Sequence, residues 1–79
     1  MFHKVTAVKP DGNFFLRVEF ADGETKRCDV SQLFTKFPVF LDLREQRLFN
    51  GVRVDPGGYG ISWNDKLDLS CDELYYMGN

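Results

Sequence analysis

Three side chains of the kinds used in nucleophilic catalysis or metal binding stand out in the sequence, namely His3, Cys28 and Cys71. A nucleophile and its base need direct hydrogen-bonding contact, and the spacing of these residues predicts none. A zinc site is usually signalled by closely paired ligands such as Cys-x-x-Cys, and no such pair occurs. We therefore interpret His3 as an exposed residue and both cysteines as packed thiols. No catalytic residue, cofactor or metal ion is predicted.

Two further patterns share only part of a ligand-binding motif. The carboxylates of Asp65, Asp68 and Asp72 do not alternate around a central glycine, as the ligands of a calcium loop do. A phosphate-binding loop opens a helix, whereas the glycine-rich stretch 57–60 precedes a predicted strand and lacks a Gly-Lys-Ser/Thr sequence. We interpret that stretch as a hairpin turn, and we expect the protein not to be an enzyme.

Arginines beside an aromatic residue form another candidate site. Arg17 and Arg27 are predicted on the outer face of a hairpin that also carries Phe15, which is typical of a stacking platform for single-stranded nucleic acid. However, ten Lys and Arg stand against twelve Asp and Glu, for a net charge of −2, and binding to phosphates relies on positive charge. A solvated sheet face is therefore preferred, with a nucleic-acid-binding or regulatory face as the alternative.

The hairpin that would carry these arginines is predicted from alternating apolar residues at 14–20 and 24–30, after a shorter strand. A two-residue turn between them would set the polar face of one strand beside the apolar face of the other. A three-residue loop with Gly23 at positive φ moves the register by one residue and places Cys28 opposite Leu16. The apolar pattern favours this second register.

Short helical segments are predicted over residues 29–49. Asp29 is suited to cap a first turn, and Pro38 limits that segment because proline disrupts a helix interior. A second helix is predicted from Val39 to Phe49, with apolar residues along one side.

A second hairpin and a C-terminal helix follow. Apolar residues alternate with polar ones over 52–63, on both sides of a turn. Ser70 followed by Glu73 is a capping box for a helix start, and Asp68 is also interpreted as a cap. Residues 1–79 thus predict one α+β domain with a small antiparallel or mixed sheet of about five strands and two or three short helices.

Length and apolar content limit the class of protein. A chain of 79 residues is one domain at most. No apolar run approaches the roughly 20 residues that span a bilayer, and the first residues lack the apolar stretch of a secretory signal. Two cysteines do not make a disulfide framework. We expect a cytoplasmic protein without membrane contact.

Several short motifs follow one another in an order that resembles a known family. They are Phe-Ala-Asp-Gly-Glu at 20–24, Cys-Asp-Val-Ser at 28–31, Val-Phe-Leu-Asp-Leu-Arg at 39–44, Leu-Phe-Asn-Gly-Val at 48–52, Ile-Ser-Trp at 61–63 and Leu-Asp-Leu-Ser at 67–70. Over nearly the whole chain they resemble the small bacterial domain-of-unknown-function family 2442. The resemblance implies a compact α+β domain without an established activity. The matched residues have structural interpretations: Asp22, Gly23, Asp29, Phe40, Phe49, Trp63, Asp68, Ser70 and Glu73.

The resemblance also implies a partner. Genes of this family often adjoin a small second gene, in arrangements similar to toxin–antitoxin pairs, which favours an antitoxin-like, partner-binding role. Eight Phe among 79 residues exceed what the predicted core requires, and exposed aromatic clusters mark interaction surfaces. The candidate partner-binding residues are Phe15, Phe34, Phe37, Tyr59, Tyr75 and Tyr76. Sheet edges offer a second possibility, the pairing of two copies of the chain.

Overall fold

A computed structural model describes residues 2–79 as two three-stranded antiparallel sheets with short helices. The first sheet contains β1 (Val5–Pro10), β2 (Phe15–Phe20) and β3 (Thr25–Asp29), and the second contains β4 (Arg53–Val54), β5 (Gly60–Asn64) and β6 (Leu67–Ser70). Three 3₁₀ helices span Val30–Leu33, Pro38–Arg44 and Pro56–Gly58, and two α-helices span Gln46–Asn50 (α1) and Cys71–Met77 (α2). The predicted α+β class is confirmed, with six strands in two sheets where about five in one sheet were expected.

The register predicted for the first hairpin is confirmed. Leu16 lies opposite Cys28, and both side chains are buried. The Phe20 N–H donates to the Glu24 carbonyl at 2.8 Å, which closes a three-residue loop. Gly23 occupies that loop at φ 93°, a conformation that glycine adopts without the steric penalty of a side chain.

The outer edge of β3 is covered by the end of the chain. The Arg27 N–H donates to the Asn79 carbonyl at 3.1 Å, and the Asn79 N–H donates back to the Arg27 carbonyl at 3.2 Å. Because an open strand edge is a template for pairing with another chain, these bonds occupy the edge of β3 at Arg27.

The predicted helix from Val39 to Phe49 is wrong as a single element. The second 3₁₀ helix ends at Arg44, and Glu45 has an extended backbone (ψ 114°) before α1 begins. The break has a local cause, since the Glu45 side chain accepts the Leu48 N–H at 2.9 Å and thereby caps a new helix. Upstream, Asp29 caps the first 3₁₀ helix by accepting the Ser31 N–H at 3.1 Å.

Asp68 was predicted as a cap, and that prediction is also wrong. Asp68 lies within β6, opposite Ser62, with its side chain in solvent. The helix instead starts two residues later, at a capping box in which the Ser70 hydroxyl accepts the Glu73 N–H and the Glu73 carboxylate accepts the Ser70 N–H. The predicted capping box is therefore confirmed.

One core joins the two sheets. Its fifteen buried apolar residues are Val5, Leu16, Val18, Phe20, Cys28, Val30, Phe40, Leu43, Phe49, Ile61, Trp63, Leu67, Leu69, Cys71 and Leu74. In the second 3₁₀ helix, Phe40 and Leu43 are three residues apart, and this spacing places them on one inward face. Within residues 2–79, no helix has both the length and the apolar character needed to cross a membrane.

Candidate functional site

The two cysteine thiols are buried in the core. The Cys28 S–H donates to the Leu74 carbonyl at 3.5 Å, and the Cys71 Sγ lies 3.8 Å from a carboxylate oxygen of Asp72. Burial raises the pKa of Cys28 to about 11, although the nearby Lys26 charge opposes the shift. Burial, reinforced by the Asp72 charge, also raises the pKa of Cys71. Both thiols are therefore protonated at neutral pH, whereas a nucleophilic cysteine is a thiolate.

His3 was expected to be exposed, and the structure corrects this. Its ring stacks on Tyr75 with centroids 3.6 Å apart, and 22% of its side chain is accessible. Its backbone N–H donates to Asp72 at 3.0 Å, and its Nδ1 lies 3.9 Å from a carboxylate oxygen of Asp22. Partial burial, together with the Asp22 carboxylate, raises the pKa of Tyr75. These contacts attach the N-terminal segment to α2.

The carboxylates do not converge with these residues on an ion. Asp65 lies in the turn between β5 and β6, Asp68 projects from β6, and Asp72 bonds the His3 backbone. Among residues 2–79, no group of three His, Cys, Asp or Glu side chains is arranged to hold a metal ion.

A row of basic residues crosses the outer face of the first sheet. Arg17 lies opposite Arg27, as predicted, and Lys9 lies opposite Arg17 on the other side. The Arg27 guanidinium lies 3.7 Å from the centroid of the Phe15 ring, and its Nε lies 3.2 Å from a carboxylate oxygen of Asp11. One face of Phe15 is thus covered and unable to stack on a base. Lys9 was not predicted as part of this row, because its position beside Arg17 depends on the register between β1 and β2.

The six predicted partner-binding aromatics are dispersed. Phe37, Tyr59 and Tyr76 are exposed at 52%, 49% and 76%. Phe34 is half-buried against Phe14, with ring centroids 5.2 Å apart. Phe15 lies beneath Arg27 and Tyr75 beneath His3. No single surface contains them all.

A groove of about 270 Å³ lies between the second 3₁₀ helix and β6. We call it the β6 groove, and its lining comprises Leu33, Phe37, Val39, Phe40, Lys66, Asp68, Leu69 and Glu73. Val39 is 47% exposed, and Leu41, in the same 3₁₀ helix, is 39% exposed. The groove was not predicted, because a continuous helix was expected over this segment. The sequence signal that could have indicated it is the pair of apolar residues, Val39 and Leu41, on either side of Phe40.

A second recess of about 260 Å³ adjoins the β6 groove. Both are lined by Asp68, Leu69 and Glu73, and the recess adds Asp55 and Tyr59 with the backbone around them. We call it the acidic recess because three carboxylates and no Lys or Arg line it. The β6 groove and the acidic recess therefore share part of their lining.

Comparison with known proteins gives one match. A family model described as "Protein of unknown function (DUF2442)" matches residues 5–78. No curated protein matches the chain, and no solved structure does.

Proposed function

The chain belongs to the family of unknown function DUF2442, and from its surface we propose that it is a non-catalytic module that binds another protein. The observation that carries the proposal is the exposure of Phe37, Val39 and Leu41 within one short segment. Covering apolar surface contributes roughly 25 cal/mol per Å² removed from water. Apolar side chains exposed together in one short segment favour an interaction site.

The chemistry of the thiols supports a non-catalytic role. Both cysteines are buried, and their pKa values are raised. The histidine ring is occupied by stacking on Tyr75. None of these groups forms the nucleophile–base contact that covalent catalysis uses.

The proposed partner is the protein encoded by the neighbouring gene, bound in the manner of an antitoxin and its toxin. This identification follows from the family resemblance and from the association of such genes in pairs. Fold alone does not assign a function, so the partner requires a direct test.

The test uses the purified chain and the purified product of the neighbouring gene. We expect a complex in calorimetry and in size-exclusion chromatography, and we expect the double variant Val39→Ser, Leu41→Ser to weaken it about tenfold or more. Phe2→Ser is the matched control, because Phe2 is 63% exposed outside this segment. Absence of a complex with the wild-type chain at about 0.1 mM would contradict the proposed function.

The row of Lys9, Arg17 and Arg27 supports a second candidate, a nucleic-acid-binding or regulatory domain. It predicts binding to labelled single-stranded DNA or RNA that weakens as salt is raised. Arg17→Ala and Lys9→Ala should each weaken binding, while Lys36→Ala, outside the row, should not. No binding at low salt would eliminate this candidate.

A further inference from the structure

We propose that the β6 groove holds an extended segment of the partner, with an apolar side chain near a basic one, and that this segment adds a fourth strand to the second sheet. The inference rests on the proposed function and specifies the chemistry of the partner. It follows from the free edge of β6, the apolar walls of the groove and the charge of the acidic recess.

The groove lies at the free edge of β6. The second sheet has the order β4-β5-β6, so β6 has a strand on one side only. Asp68 and Leu69 are neighbours in the strand, and their side chains point to opposite faces of the sheet. Both line the groove, which is consistent with a groove that runs along the strand edge.

The backbone of Asp68 is available for pairing at that edge. The Cys71 N–H donates to the Tyr59 carbonyl at 2.8 Å, and hydrogen-bonded pairs alternate along an antiparallel ladder. Leu69 is therefore bonded to β5, whereas the N–H and C=O groups of Asp68 and Ser70 point outward. Ser70 directs its N–H to the capping carboxylate of Glu73 at 3.0 Å. Asp68 thus presents both a donor and an acceptor to an added strand.

The opposite wall of the groove is suited to one apolar side chain. Leu33, Phe37, Val39 and Phe40 form it, and the groove volume of about 270 Å³ accommodates a leucine or an aromatic ring. Phe37 and Val39 are about half exposed in the free chain. An inserted side chain would remove their apolar surface from water, which favours binding.

The charge of the adjoining recess determines the second requirement of the bound segment, a basic side chain. Asp55, Asp68 and Glu73 line it, and its lining contains no Lys or Arg, so it favours a basic side chain from the partner. The cation of the β6 groove, Lys66, lies in the β5–β6 turn. A bound segment should therefore place its Lys or Arg toward the recess and away from Lys66.

The experiment selects ligands from a phage-displayed library of random peptides on the immobilised full chain. We expect the selected peptides to share an apolar residue close to Lys or Arg. Binding of a labelled synthetic consensus peptide should weaken about tenfold or more for Phe37→Ser. Asp68→Asn should reduce its salt dependence, since one carboxylate is removed. Phe2→Ser is the control, because Phe2 is an exposed aromatic residue that lines neither the groove nor the recess.

Hydrogen exchange tests the strand pairing itself. The outward Asp68 amide should exchange fast in the free chain and about tenfold or more slower with the peptide bound. Unchanged exchange, equal effects of Phe37→Ser and Phe2→Ser, or a library without binders would each overturn the inference. If the neighbouring gene product binds but the peptide does not compete with it, the inference fails and the proposed function stands. If a groove-binding peptide is selected and the gene product does not bind, the proposed partner fails instead.

Discussion

The indole Nε1–H of Trp63 donates to the backbone carbonyl of Phe49 at 3.0 Å, and the two rings stack with centroids 6.2 Å apart. This contact joins β5 to α1 through the interior of the protein. A buried carbonyl near a helix end requires a donor, and the indole supplies it. Trp63 therefore holds the helical segment that follows the β6 groove wall against the second sheet.

Trp63→Phe should lower the free energy of unfolding by about 2–4 kcal/mol. The variant loses ring volume in the core and leaves the Phe49 carbonyl without its donor. Urea denaturation followed by circular dichroism measures the change, because the chain has a single Trp and the variant lacks the fluorescence signal. Tyr59→Phe, at an exposed aromatic, should change stability by less than about 0.5 kcal/mol. Similar values for the two variants would contradict the role of this hydrogen bond.

Ser70→Ala should destabilise the protein by about 1 kcal/mol, since the hydroxyl that accepts the Glu73 N–H is the N-cap of α2. Asp68→Ala should change stability by less than about 0.5 kcal/mol, because its side chain projects from the strand into solvent. Thermal denaturation of both variants compares the two positions. A larger loss of stability for Asp68→Ala than for Ser70→Ala would show that Ser70 is not the N-cap of α2.

Gly23→Ala should cost about 1–2 kcal/mol, because an L residue at φ 93° is strained even though no atom lies within 4 Å of the added Cβ. Gly51→Ala is the control. Gly51 has φ −82°, which alanine adopts freely, and its nearest neighbour to an added Cβ is the Leu48 carbonyl oxygen at 3.4 Å. We expect Gly51→Ala to be neutral or slightly stabilising. Equal losses of stability for Gly23→Ala and Gly51→Ala in urea denaturation would show that backbone strain is not the cause of the loss at Gly23.

Stability should fall with rising pH between the ordinary Cys pKa of 9.0 and about 11, the pKa of Cys28 in the folded chain. In this window the unfolded thiol releases its proton while the buried thiol keeps it, so the unfolded state is favoured. The slope attributable to Cys28 is about −1.4 kcal/mol per pH unit. Below this window the thiol is protonated in both states and contributes no pH dependence.

The Cys28 contribution is isolated by comparing the wild-type chain with Cys28→Ala in urea denaturation across the window. The difference in stability between the two should shrink as pH rises. A constant difference would show that the thiol does not titrate with a raised pKa in the folded protein.

Both thiols should react with a disulfide reagent at neutral pH about tenfold or more slowly than free cysteine, because each is buried and protonated. Urea should abolish the protection. Each single variant, Cys28→Ala or Cys71→Ala, leaves one thiol, so the reaction rate measured in it belongs to the remaining cysteine. A rate above that of free cysteine at Cys71 would restore a cysteine-based enzyme as a hypothesis.

The features determined by the sequence alone are those set by neighbours along the chain. A one-residue change of register turns every side chain of a strand to the other face, so the apolar pattern alone selects the pairing of Leu16 with Cys28. The box formed by Ser70 and Glu73 is likewise local, since both partners lie within one helical turn.

Tertiary structure decided the features that depend on distant segments. His3 stacks on Tyr75 only when the N-terminal segment and α2 pack together. The β6 groove forms because Phe37 comes to lie beside the edge of β6 at Asp68. No periodicity in the sequence specifies this contact between Phe37 and the β6 edge. Packing in the shared core, rather than local propensity, determines which surfaces face each other.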